Sequence, residues 1–84
     1  MTATNAPRSA PDEKLDLRGT PCPINFIRTK LRLEKMSPGS LLEVWLDAGE
    51  PMEQVPSSLT MEGYGIEQVE ARADFFAVQI RRPQ

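Results

Sequence analysis

The sequence predicts an α/β fold: a two-layer α/β sandwich in the order β-α-β-α-β-β, with a four-stranded mixed sheet and two helices on one face. Three observations carry this expectation. Apolar residues alternate along four short segments, 14–18, 41–47, 66–71 and 75–81. Two intervening segments space their apolar residues as helices do. Proline and glycine clusters mark the joints. Two helices with one apolar stripe each bury those stripes most simply on one sheet face.

The elements follow in chain order. Residues 1–13 mix Pro, Ala, Ser, Thr and Asn without apolar periodicity and read as a disordered tail, leaving 14–82 as the folded domain. In Lys14–Arg18, Leu15 and Leu17 face one side while Asp16 and Arg18 face the other. Gly19-Thr20-Pro21 is a turn, and Pro23 sits where the first turn of a helix tolerates it. The helix over 23–36 stops before Ser37-Pro38-Gly39. Its core stripe is Phe26, Thr29, Leu33 and Met36, flanked by Ile27; a rival choice would bury Ile24, Ile27 and Leu31 instead. Arg28, Arg32 and Lys35 form a second, basic stripe, with Ile24 and Leu31 beside it.

Leu41–Asp47 is a strand whose Leu42, Val44 and Leu46 share a face. A second helix falls within Pro51–Glu62, with Met52, Val55 and Leu59 on one side and Pro56 marking its regular start. Ser57 and Ser58 read as helix-start residues. Ile66–Ala71 and Phe75–Arg81 are strands joined by the hairpin-sized link Arg72-Ala73-Asp74. Trp45 and Phe75 fall on the sheet face without helices, where Trp45 is either a wet edge or an association surface.

Composition excludes several function classes. With 84 residues, no apolar run approaches the ~20 needed to span a bilayer. The start lacks the apolar core of a secretory signal, so a cytoplasmic location is expected. One cysteine, Cys22, rules out an internal disulfide, and the absence of histidine removes Cys-His and Ser-His-Asp catalysis within the chain. No metal site or cofactor is expected. A net charge of −2 argues against generic nucleic-acid binding. The charge is unevenly spread: six basic residues face only Asp16 and Glu34 within 14–35, whereas three arginines face eight acidic residues within 36–84.

Cys22, the only soft nucleophile, lies inside the basic segment at the junction of turn and helix. A helix start offers unpaired N–H groups and the positive end of the dipole, and both favour an anionic sulfur, thiolate or persulfide. Pro23 fixes the backbone that aims it. The competing reading is a buried structural cysteine.

These residues resemble a known family. The run Leu15-Asp16-Leu17-Arg18-Gly19-Thr20-Pro21-Cys22-Pro23, continued by Arg28-Thr29-Lys30 and Leu33, is similar to the TusA sulfur carrier family, marked by L-D-x-x-G-x-x-C-P-x-P and a basic helix. Pro38-Gly39, Leu41–Asp47, Val55-Pro56 and Gly63 also fit. The second motif proline is replaced by Asn25, whose side chain can cap or hydrogen-bond locally.

The resemblance implies the same element order. It also implies that Cys22 receives sulfane sulfur from a donor, a cysteine desulfurase or rhodanese-like protein, and passes it to an acceptor protein. Routes served in the family include tRNA thiolation, molybdenum cofactor synthesis and sulfur oxidation. Whether such a persulfide carrier counts as an enzyme, a sulfurtransferase, is a matter of definition. Arg18, Gly19, Pro23 and Asn25 are the candidates to support the active-site turn. Ile24, Arg28, Leu31, Arg32 and Lys35 are the candidates for partner binding. The alternative function is a non-catalytic interaction or regulatory module that uses the basic face of the first helix, with Cys22 incidental.

Overall fold

The computed structural model describes residues 10–83. It contains β1 (Glu13–Asp16), α1 (Ile24–Lys35), β2 (Leu41–Asp47), α2 (Glu50–Met61), β3 (Gly65–Ala71) and β4 (Phe75–Arg81). The strands form one mixed sheet in the order β1-β2-β4-β3. β1 lies parallel to β2, with Leu15 opposite Val44; β4 runs antiparallel to both β2 and β3. Both helices pack on one face of this sheet, as the sequence predicts.

Alternation decides which side chains meet there. Leu15 and Leu17, Leu42, Val44 and Leu46, and Val78 and Ile80 point inward, and Leu33, Met36, Val55 and Leu59 descend on them from the helices. Complete burial of a leucine contributes about 1.5–3 kcal/mol. Leu33 and Leu59 have no exposed surface, so they pin α1 and α2 respectively.

The face opposite the helices is not a plain wet surface. Trp45 and Phe75 pack with ring centroids 5.1 Å apart. The Arg18 guanidinium lies over both, 4.9 Å from one centroid and 4.7 Å from the other, a cation–π arrangement. Glu43 is buried on the same face, only 3% exposed. Burial opposes its charge, yet Trp45 donates to it at 2.8 Å, Gln79 at 3.2 Å, and Arg72 stands nearby. The hydrogen bonds and the arginine prevail, and its carboxyl is held below the usual carboxylate range.

Several expectations need correction. The folded body begins before Lys14: the Asp12 N–H donates to Leu41 O at 2.7 Å, and the Leu41 N–H donates to the Asp12 carboxylate at 2.8 Å. Residues 1–9 of the expected tail lie outside the described residues. The second helix starts earlier than expected, with Pro51 in its first turn and Pro56 inside it. Pro56 costs that helix a hydrogen bond without ending it, because Val55 and Leu59 keep it seated on the core. Ser58 is consequently in mid-helix. On α1, Phe26 is half-buried and Ile27 is 47% exposed. At 100° per residue, Ile27 points nearly opposite to Thr29 and well away from Leu33, whereas Asn25 falls on their side.

Candidate functional site

The loop from β1 to α1 is held at four points. The Leu17 N–H still reaches Trp45 O at 3.0 Å, prolonging the β1 pairing. Asp16 accepts the Arg18 N–H at 3.0 Å and its guanidinium at 2.7 Å. The arginine side chain, then its backbone N–H, hold the Asp16 carboxyl down at about 2. Thr20 donates to Leu17 O at 3.0 Å, closing a tight turn whose Gly19 has φ +80°, a conformation that favours glycine. The Gly19 N–H donates to the Asp47 carboxylate at 2.6 Å, tying the loop to the end of β2.

Of the expected supports of the turn, Gly19 and Pro23 stand in the loop itself. Pro23 is the N-cap residue of α1, outside the first helical position. Arg18 contributes through Asp16, while its guanidinium turns to the aromatic pair on the opposite face of the sheet.

The helix start is more fully bonded than the sequence argument assumes. The Asn25 N–H donates to Pro21 O at 3.1 Å, the Ile27 N–H to Pro23 O at 3.0 Å, and the Phe26 N–H to the Asn25 side-chain oxygen at 2.7 Å. Three N–H groups of the first turn are therefore not free to meet a sulfur. The dipole remains, with no acidic side chain in the first turn to offset it.

Asn25 meets the sulfur directly. It is fully buried, and its Nδ2 donates to Cys22 Sγ at 3.2 Å. Cys22 itself is half-buried at a cleft of about 290 Å3 between the helices. Pro23, Asn25 and Phe26 form one wall; Glu50, Gln54, Val55 and Ser58 of α2 form the other. This second wall is not part of the cysteine motif in the sequence. Its trace was there: Glu50, Gln54 and Ser58 recur at four-residue spacing beside the Val55–Leu59 stripe. Asp47 was also missed as the anchor of the loop.

The expected docking residues are brought together. Arg28, Leu31, Arg32 and Lys35 surround a shallow hollow of about 170 Å3 floored by Leu15. Leu31 is 52% exposed, and Ile24, closer to the cysteine, 49%. Arg32 is partly committed elsewhere, to Glu13 at 2.8 Å. Ile27 joins Ile24 and Leu31 in an exposed apolar stripe that the rival helix face would have buried.

A small α/β sandwich that places one cysteine at the start of its first helix is the design of a family of sulfurtransferases. The family described as Sulfurtransferase TusA matches residues 13–82, and the chain belongs to it. A protein of Archaeoglobus fulgidus named as a sulfur carrier is 44% identical over 59 residues, which cover 70% of this chain and 67% of that one. Another so named, from Thermotoga maritima, is 38% identical over 56 residues, 67% of this chain and 71% of that one. The crystal structure of a SirA-like protein from Desulfitobacterium hafniense superposes with a TM-score of 0.72 at 26% identity, covering 86% of this chain and 99% of that one.

Proposed function

We propose that this chain is a sulfur carrier that accepts sulfane sulfur on Cys22 as a persulfide and delivers it to an acceptor protein. The observation that carries the reading is the half-buried sulfur at the mouth of the inter-helix cleft, in a chain with no other thiol. The Cys22 thiolate attacks the terminal sulfur of a donor persulfide. A new S–S bond forms at Sγ, the donor's own S–S bond breaks, and its electron pair leaves with the donor thiolate. Delivery repeats the exchange, with Cys22 as the leaving thiolate. No net oxidation occurs and no general base is required, which suits a chain without histidine.

A cysteine desulfurase or rhodanese-like protein is the donor class that fits, and tRNA thiolation is one relay such a carrier serves. A reducing cytoplasm is the compartment that suits a lone exchangeable thiol. The hollow around Arg28, Leu31, Arg32 and Lys35, with Ile24 beside Cys22, supports docking of an acidic partner surface.

Intact mass after incubation with cysteine and a cysteine desulfurase tests this. The wild-type chain gains one sulfur and Cys22→Ser gains none, with unchanged thermal unfolding. Added salt slows loading by the protein donor but not by a small polysulfide, because screening acts on the docking charges. Sulfur retained by Cys22→Ser would refute the carrier reading. It would favour an interaction module in which the basic face is the functional surface.

A further inference from the structure

Asn25 is a polar side chain with no exposed surface in the first turn of α1, on the face that also buries Thr29 and Leu33. An amide is buried without penalty only when it is bonded. Its oxygen has a donor in the Phe26 N–H at 2.7 Å. A backbone N–H can only donate, so the atom facing it must be Oδ1, and this fixes which way the amide lies. The amino group is thereby turned toward the cysteine, with Nδ2 at 3.2 Å from Sγ.

That amino group has two hydrogens. Cys22 Sγ takes one, and among the described residues the second meets no acceptor. A buried donor with a spare hydrogen therefore stands beside the sulfur, in the wall of a cleft large enough for additional atoms. A persulfide would add one acceptor, anionic at neutral pH, next to the atom already bonded.

We infer that Asn25 is a positioning residue for the sulfur cargo: its amide holds Cys22 Sγ with one hydrogen and the terminal sulfur of the Cys22 persulfide with the other. This rests on the carrier reading above. The persulfide receives two hydrogen bonds where the thiolate receives one, so the amide favours the loaded state. On delivery, an acceptor thiolate takes the terminal sulfur and the electron pair of the S–S bond returns to Sγ, which keeps its own bond to Nδ2. Asn25 makes and breaks no covalent bond. Proline at this position, as in the motif the chain resembles, has no hydrogen to give.

The test is persulfide occupancy of the full chain, read by intact mass at equilibrium with a small-molecule persulfide and its thiol. Asn25→Asp keeps the shape and the acceptor for the Phe26 N–H but replaces the donor by a carboxylate. Occupancy at neutral pH is expected to fall about tenfold relative to wild type. It is expected to recover as pH falls through the carboxyl range near ~4, where the introduced group regains a hydrogen to donate. Each value is divided by that of the wild type at the same pH, so common effects cancel. Glu50, the titratable group facing the site from α2, is present in both proteins.

A purely structural role would not produce acid recovery. Asn25→Pro, which has no side-chain donor at any pH, is expected to lose occupancy without recovering. Wild-type occupancy in either variant at neutral pH, or a loss in Asn25→Asp that persists in acid with cooperative unfolding intact, overturns the inference alone. A wild-type chain that takes up no sulfur overturns the carrier reading with it.

Discussion

The two helices are near equals as structure and opposites as electrostatics. Each has 12 residues, begins beside a proline and lacks a side-chain cap. Each is fixed by a leucine with no exposed surface, Leu33 in one and Leu59 in the other. α2 carries Glu50 and Glu53 in its first turn, the arrangement that completes a helix dipole. α1 has no acid in its first turn and carries two of its four basic residues, Arg32 and Lys35, in its last. The positive end of α1 thus has no carboxylate from its own first turn, and Cys22 lies just before it. Stabilisation that one helix takes from its sequence is withheld from the other where an anionic sulfur would sit.

Four substitutions would break or sharpen this contrast. The largest effect is expected in the core, where the helices should behave alike. Leu33→Ala and Leu59→Ala should each cost about 2–5 kcal/mol in urea unfolding. A negligible cost at Leu33 would mean that α1 is not anchored as α2 is.

A smaller effect is expected from making α1 resemble α2. Ile24→Glu places an acid in the first turn at a position 49% exposed, where the carboxylate can reach solvent. The helix should gain about 0.3–1 kcal/mol, while loading from a small anionic polysulfide slows about two- to fivefold. Faster loading in this variant would contradict the role given to the uncompensated helix end. The smallest effect belongs to the reverse change. Glu53→Gln removes one first-turn acid from α2 and should cost about 0.3–1 kcal/mol in thermal unfolding with loading rate unaltered.

The fold was legible because the strands alternate and because Gly19, Pro21, Pro38, Gly39, Gly49 and Gly63 fall between elements. β2 and β4 match their expected bounds, Leu41–Asp47 and Phe75–Arg81. Pro56 was misread because local propensity disfavours proline inside a helix, while the packing of Val55 and Leu59 overrides it. At the site, Cys22 and its helix start were visible in one stretch of sequence. The α2 wall was not, because Glu50, Gln54 and Ser58 reach the cysteine only through the packing of one helix against the other. Asn25 stood in the motif itself, but its burial followed from a helical wheel in which Thr29 and Leu33, its neighbours on the buried side, outweigh its polarity. Glu43 and Asp47 looked like ordinary outward-facing strand residues. Their partners, Gln79 and Gly19, lie 36 and 28 positions away.

The single bond from the Gly19 N–H to the Asp47 carboxylate has a dynamic consequence. β1 is four residues long, pairs only with β2 and lies at the edge of the sheet, whereas β2 and β4 pair along seven residues each. Opening of a native protein starts where few bonds secure the chain. Release of one carboxylate and a short parallel ladder frees the segment leading to Cys22 while the β2-β4-β3 ladder stays closed. The sulfur-bearing loop is therefore moored through an edge strand, and its opening is coupled to the short β1-β2 ladder and the seating of Leu15 and Leu17 rather than to the β2-β4-β3 ladder.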